Sequence, residues 1–428
     1  MILYSMADAS EKSAPGLKRL TQKELNAIID QHERFVTGRK GGLRANLSDH
    51  DLSQMVLAGR NLADANFTGA ILFEADLHDA DLARATLFCA DLRCANLNGT
   101  NLTSADLRGA SLRGTSLVGA NMAKVDLREG SLANAKGDGG LKAAHANLTV
   151  ADKGGANLSG ANLSNAKLSG AVAVGSNFSD ATMKSAVLKK ASLKDANFSG
   201  CNLDGADMSE CSLENVNLRG AILTGTAINI SEVSAENLEG ALTSNLMGKS
   251  INELGAPIED LLRAHKAWVD SSGQSGKRLD LSGYDLRGVA QLTNACLTMM
   301  RGVGAVLYGV NLAKTPLQAV ELREADLRQA ILTKADLRGG NFVKARLNGA
   351  KMQNVQLQPL VIGTGRSIKT DFSDAQLRFV DFSGANLSHV SFKNADLADA
   401  NFNGCNLEGA DLTGANIEGI RTEGVTGL

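Results

Sequence analysis

The residues of this chain that could do chemistry are its carboxylates, its six cysteines and its six histidines, set in 428 residues. Asp is abundant but recurs at regular intervals. Carboxylates spread in this way stay solvated and ionised instead of pairing as acid and base in a cleft. The cysteines show neither CxxC spacing nor a Cys/His cluster of the kind that holds zinc. His32 and His265 sit on two segments of helical periodicity, far in sequence from any matching ligand, and packing is their expected role. The glycine-rich stretches at 38–42, 272–278 and 363–367 lack the GxxxxGK[ST] form of a phosphate loop, and neither GxSxG nor HExxH occurs. No enzyme activity, cofactor or metal is expected.

The elements that carry these residues repeat with a period of five. Between residues 47 and 132 every fifth residue is Leu, Phe or Met, over eighteen positions. Two residues before each, Ala dominates, and the residue between is mostly Asn, Asp, Ser or Thr. A second run spans 148–238 after a slip of one residue, with Lys153 and Ala173 as misfits. A third spans 292–417, with Gly302 and Ser367 off the pattern. Neither a helix nor an ordinary strand has this period. The apolar centre and the small residue two before it point inward, and the residues flanking the centre point outward. The remaining position suits a tight corner, for which Gly, Asn and Asp are fitted by their tolerance of φ > 0. Cys201, Cys211 and Cys405 occupy the Ala slot and read as small interior thiols, kept reduced in a cytoplasmic protein.

This pattern resembles the pentapeptide-repeat family over residues 45–134, 146–240 and 280–419. The resemblance implies an all-β solenoid, a right-handed quadrilateral β-helix in which four pentapeptides make a coil of twenty residues. Residues twenty apart should then stack, and Phe372 with Phe392, Phe382 with Phe402, and Phe178 with Phe198 are expected to form aromatic ladders.

Before the first run, Leu25, Ile28, Ile29, His32, Phe35 and Val36 follow helical spacing, with Thr21 and Glu24 as a capping box. The same spacing returns 233 residues later as Ile258, Leu261, Leu262, His265, Trp268 and Val269. Two short amphipathic helices are thus expected to cap two solenoids. The expected divisions are a flexible tail at 1–20, a first helix-capped solenoid at 21–245 with a register break near 135–146, and a second at 246–428 whose helix covers about 257–270. After residue 417 no further pattern is read, which leaves an end coil open to self-association.

Several members of the family resemble a DNA rod and modulate type II topoisomerases, a mechanism that needs a continuous acidic surface. Here residues 45–134 carry 11 acidic and 7 basic side chains, 146–240 carry 10 and 7, and 290–419 carry 12 and 13. Seven segments of the form acid–Leu–Arg, from Asp91 to Asp336, place opposite charges on either side of an inward Leu and cancel the field. The expected function is therefore a non-enzymatic scaffold for a protein partner, with no direct nucleic-acid binding. The alternative is a DNA-mimicking modulator or protector of a topoisomerase such as DNA gyrase. The breaks in the pattern, at 135–146, 225–288 and 358–370, are where unique shapes arise. Met299, Met300 and Tyr308 are either core residues of an irregular coil or a partner-binding patch, and Arg366 in the last break joins them as a candidate. The N-terminal residues lack the basic and apolar regions of a signal peptide, and no apolar stretch reaches the length of a membrane span.

Overall fold

The structure, a computed structural model, describes residues 17–128, 130–133, 141–144, 155–246, 248–363 and 365–427. It divides into two units, residues 1–244 and 245–428.

Unit one begins with strand β1 (Lys18–Arg19), helix α1 (Gln22–Val36) and strand β2 (His50–Asp51). Thereafter single parallel bridges link residues twenty apart, as in Asn46–Asn66, Asp51–Ile71, Val56–Asp76 and Asn61–Asp81, four to a coil. The centre of each pentapeptide and the small residue two before it are buried, for example Leu62, Ala65 and Phe67. Where the outward residue before a centre is Asn, it can do two jobs, as three stacked positions show. Its side-chain oxygen accepts the N–H two residues on, and its amide reaches the next coil. Asn177, Asn197 and Asn217 each donate Nδ2 to the Asn twenty residues earlier at 3.0–3.1 Å. Their Oδ1 atoms accept from Ser179, Ser199 and Arg219. A short polar side chain that can bond its own backbone two residues on suits this position, although Val56, Ile71 and Val187 also bridge from it.

The corner is less selective than the sequence suggests. Gln54, Arg84, Cys89, Cys94, Lys124 and Phe379 all hold φ between +55° and +62° there. The left-handed region costs a bulky L-residue about 1–2 kcal/mol. Each corner N–H bonds the following coil, as Gln54 does to the Phe73 carbonyl at 2.8 Å, and this offsets the strain. Lys314, exposed with φ +59°, shows the balance. Lys314→Gly is expected to raise unfolding stability by about 0.5–1 kcal/mol, the relief of strain less the entropy of glycine, measured by thermal denaturation.

In unit one the bridges Ser116–Asn157, Asn121–Asn162 and Asp126–Lys167 span forty-one residues instead of twenty. Strands β3 (Gly130–Ala133) and β4 (Leu141–Ala144) pair antiparallel within this stretch. The slip of one residue is therefore the trace of a much longer excursion: twenty-one extra residues leave a remainder of one on division by five. Leu132 lies in β3, not in a stacked wall, and Leu148 and Lys153 fall outside the described residues. Ala173, a misfit in sequence, fills the inward slot and is fully buried.

Unit two opens with strand β5 (Lys249–Ser250), helix α2 (Ile258–Asp270) and strand β6 (Tyr284–Asp285). Its bridges from Asn341–Asp371 to Gln356–Asn386 span thirty residues, because strands β7 (Leu360–Ile362) and β8 (Arg366–Ile368) leave the coil as an antiparallel hairpin. Ten inserted residues preserve the period, so Ile362 continues the sequence pattern yet is 42% exposed. The coil also runs further than expected. Asn401–Arg421 and Asn406–Thr426 continue the stacking through residues where no pattern was read, since backbone pairing does not need an apolar centre at every wall.

The aromatic ladders form as expected. Phe178 stacks on Phe198 at 4.7 Å, Phe372 on Phe392 at 5.6 Å and Phe382 on Phe402 at 5.4 Å. Phe342 extends the second ladder at 4.7 Å from Phe372, across the hairpin insertion.

The first coil of unit one is closed on all four walls by the segment before it. The Ala45 N–H donates to His32 Nδ1 at 3.1 Å, and β1 pairs parallel with β2. The Gln22 amide bonds both the N–H and the carbonyl of Val56 at 2.9 Å, and the Asn61 N–H donates to Glu33 Oε1 at 3.2 Å. Each group stands in for the peptide of a missing coil, which is how a strand edge is protected. The predicted capping box of α1 is present. Residues 18–19, expected as tail, are strand; residues 1–16 lie outside the described residues. In unit two the Leu279 N–H donates to His265 Nδ1 at 3.0 Å and β5 pairs parallel with β6. Gln22→Ala is expected to cost about 1–2 kcal/mol, two hydrogen bonds at a protected edge. Faster amide exchange at Val56, with exchange in later coils unchanged, would register it.

Candidate partner-binding surface

Charge on the outer walls is neutralised at close range. Arg93, Arg108, Arg128 and Arg338 fork onto the Asp two residues earlier at 2.6–2.7 Å. Burial alone would raise Asp126 and Asp336, but the forks from Arg128 and Arg338 outweigh it and hold both carboxyls low. Asp326–Arg328 makes the same fork with both partners buried, and Asp285, itself buried, makes it with a half-buried Arg287. Glu321 departs from the form: its longer side chain reaches the preceding coil and binds Arg301 at 2.9 Å. Carboxylates held this way neither share protons nor present bare negative charge.

The interior thiols are inert. Burial pushes Cys211 and Cys405 up to about 11 and raises Cys201 well above the usual thiol range. Cys211 and Cys405 donate S–H to the Leu188 and Phe382 carbonyls at 3.1 and 3.0 Å. Thr100 and Thr115 make the equivalent bonds from the same slot. A protonated thiol spent on a coil carbonyl is not a nucleophile. Among the described residues no group of three or more His, Cys, Asp or Glu is placed to hold a metal, and no helix is long and apolar enough to cross a membrane.

The four candidates separate. Met300 is buried at 1% exposure, packed towards Gly302: a Cβ on that glycine would lie 3.3 Å from Met300 Cε and 2.9 Å from Leu322 Cδ2. A large residue in the Ala slot thus fills the volume left by a glycine at the centre, and this methionine belongs to the core, not to a binding patch. Met299 is 41% exposed at a corner with φ +61°. Tyr308 is half-buried beyond a different wall, so these two do not form one patch. Arg366 is exposed at the start of β8.

Around Arg366 the structure places residues that sequence reasoning did not single out. Val361 is 70% exposed, and Ile362 and Ile368 are also exposed. The hairpin base is firmly tied: Thr370, fully buried, donates Oγ1 to the Leu357 carbonyl at 2.8 Å and accepts the Gly339 N–H at 3.0 Å. Gly339 lets the hairpin pack closely here, since at φ +68° a Cβ would sit 3.0 Å from that of Leu360 and 3.2 Å from that of Ile368. The result is an apolar, strand-edged projection on a fixed base, with Val361, Ile362 and Ile368 exposed close together in sequence. The break expected at 358–370 holds this hairpin, and Pro359 with Gly363 and Gly365 was its sequence signal.

The chain matches the family model for pentapeptide repeats in eight copies, at residues 51–87, 90–135, 156–195, 191–226, 321–358, 370–409 and 391–421, more than half its length. No curated protein matches it. Among solved structures, it is similar to HetL, a pentapeptide repeat protein involved in heterocyst differentiation regulation from the cyanobacterium Nostoc sp. strain PCC 7120. That match has 19% identity, covers 91% of this chain and 92% of HetL, and has a TM-score of 0.19. QnrB1, a plasmid-mediated fluoroquinolone resistance protein, is 20% identical over 47% of this chain and 84% of its own, with a TM-score of 0.28. Rfr23, a pentapeptide repeat protein from the cyanobacterium Cyanothece 51142, is 25% identical over 29% of this chain and 90% of its own, with a TM-score of 0.17.

Proposed function

The chain belongs to the pentapeptide-repeat family, and from that premise we propose that it is a non-enzymatic scaffold that binds a protein partner through the β7–β8 hairpin. The observation that carries this reading is the exposure of Val361, Ile362 and Ile368 beside Arg366 on an anchored projection. Exposed apolar side chains gain about 25 cal/mol per Å² when covered, and a free strand edge can pair with an extended segment. We read the supporting coil as a right-handed quadrilateral β-helix, a reading supported by four bridges in every twenty residues. Six free thiols fit a cytoplasmic setting. At the last coil Ile417 is exposed and Leu412, Ile420 and Val425 are half-buried, which supports self-association there. A strictly monomeric mass by light scattering would remove that part of the proposal.

Affinity capture with the full chain tests the main reading. Val361→Asp with Ile362→Asp is expected to abolish capture of the specific partner without changing the melting temperature, because neither side chain is packed in the coil. Retention of the same partner by the double variant would refute the hairpin as the docking element. The neutralised walls weigh against DNA mimicry, and strong, salt-sensitive inhibition or protection in a gyrase supercoiling assay would reverse the preference.

A further inference from the structure

Two histidines 233 residues apart hold the same place in the two units. His32 on α1 and His265 on α2 are fully buried. Each accepts, at Nδ1, the backbone N–H of the first residue of the solenoid, Ala45 at 3.1 Å or Leu279 at 3.0 Å. A ring nitrogen that accepts carries no proton, so both imidazoles are neutral with the proton on Nε2. Nε2 is buried without a hydrogen-bond partner in both, facing the backbone of Ala63 or Thr298. An aromatic ring covers each imidazole, Phe35 at 6.0 Å and Trp268 at 5.9 Å. The residue before the first wall is Arg in both units, and its Nε donates to a carbonyl of the following coil, Asp64 or Met299.

We propose that these two imidazoles make the helical lids acid-labile, so that protonation at Nδ1 releases each helix from the first coil of its unit. A protonated Nδ1 is a donor, and it would face the Ala45 or Leu279 N–H donor-to-donor. One of the contacts that closes the edge becomes repulsive, and the coil beneath is uncovered for pairing.

The charged surroundings set the direction. Burial lowers the proton affinity of both rings. Asp64 at the last corner of the first coil and Glu33 on α1 favour the imidazolium of His32, and Arg44 opposes it. Arg278 opposes protonation of His265. Glu33 and Asp64 are themselves held low by Arg60 and Arg84, so they stay ionised while the imidazoles titrate. The closed lid therefore binds a proton less well than the open one. Its stability is complete above the ordinary imidazole value of about 6.5, weakens as pH falls below it, and levels off beneath the closed-lid value. Each pH unit between the two values shifts the lid equilibrium about tenfold. Lid two, where Arg278 adds to burial, is expected to respond at lower pH than lid one.

Hydrogen exchange on the full chain, corrected for the intrinsic pH dependence of amide exchange, is the test. Between about pH 7 and pH 5, protection of Ala45, Leu279 and both helices should fall about tenfold or more, while amides around Phe392 hold theirs. Trp268, the single tryptophan, reports lid two independently, and its emission should shift to the red in the same range. His265→Gln offers Leu279 a carboxamide oxygen that does not titrate. It should abolish the response of α2 and leave that of α1. Unchanged protection at Ala45 and Leu279, a uniform loss across all coils, or a wild-type Trp268 titration in His265→Gln would each overturn the proposal. The wild-type exchange profile decides the matter even should the variant fail to fold.

Discussion

Phe392→Ala is expected to destabilise unit two by about 3–5 kcal/mol, the usual cost of removing a fully buried aromatic ring. Phe392 is in the middle of the ladder. It stacks on Phe372 at 5.6 Å and meets Phe382 and Phe402 edge-on at 5.9 and 6.3 Å. In a solenoid each coil rests on its neighbours, so a defect in one wall weakens two interfaces and splits the stack locally. The interior is narrow, since Leu and Ala fill most of its slots, and little else can move into the void. Denaturant unfolding followed by exchange at residues 372–402 measures the effect. Phe392→Leu should lose less than half as much, because the slot is built for Leu in most coils. A loss below about 1 kcal/mol for the alanine variant would mean that the coils relax far more than packed cores do.

A loss of similar size is expected for Asp326→Ala, for an electrostatic reason. Asp326 and Arg328 are 2% and 3% exposed, with Arg346 3.5 Å from the same carboxylate. Burial favours protonation of Asp326, yet the Arg328 fork and the charges of Arg328 and Arg346 together hold its carboxyl below the usual range. Removing the carboxylate leaves the Arg328 guanidinium buried without it, which costs about 3–5 kcal/mol for pairs of this kind. Asp91→Ala, which breaks the same fork at an exposed site, should cost no more than about 1 kcal/mol. The comparison sets burial and the second cation Arg346 against an exposed fork of the same sequence spacing. Asp326→Leu combined with Arg328→Met should recover most of the loss, since an apolar pair removes the buried guanidinium charge together with the carboxylate. The pH dependence follows from the sign of the shift. A carboxyl lowered in the folded state contributes stability above its unfolded pKa of about 3.9, lost as pH falls through the folded value. Wild type should therefore lose stability at acid pH that Asp326→Ala never had.

Much of this was legible in the residues. The inward slots, the stacking of Phe178 on Phe198 and of Phe382 on Phe402, and the capping box of Thr21 and Glu24 all follow from local rules. The acid–Leu–Arg forks follow too, because both flanks of an inward residue emerge on one side of the chain. Glu321 escaped the rule through one extra methylene and a neighbour twenty residues away. The candidate surface was harder to see. Met300 looked eligible for a patch until Gly302 gave it a cavity to fill.

A period of five is a property of the backbone path over a single wall. The sequence alone was therefore enough to determine the five-residue repeat and its inward residues, while the stripe of α1 held in part: Leu25, Ile29 and His32 are buried and Phe35 is exposed. Periodicity counts residues only modulo five, and it is blind to whether a matching segment stays in the coil. Ten residues inserted at 358–370 vanish from the count, and twenty-one between the walls at 126 and 167 leave only a slip of one. Tertiary structure decided those excursions, because hydrogen bonding between coils selects which matching segments stack. It also decided what closes the first coil, because the edge N–H groups of Ala45 and Leu279 find partners only once a helix thirteen or fourteen residues away folds over them.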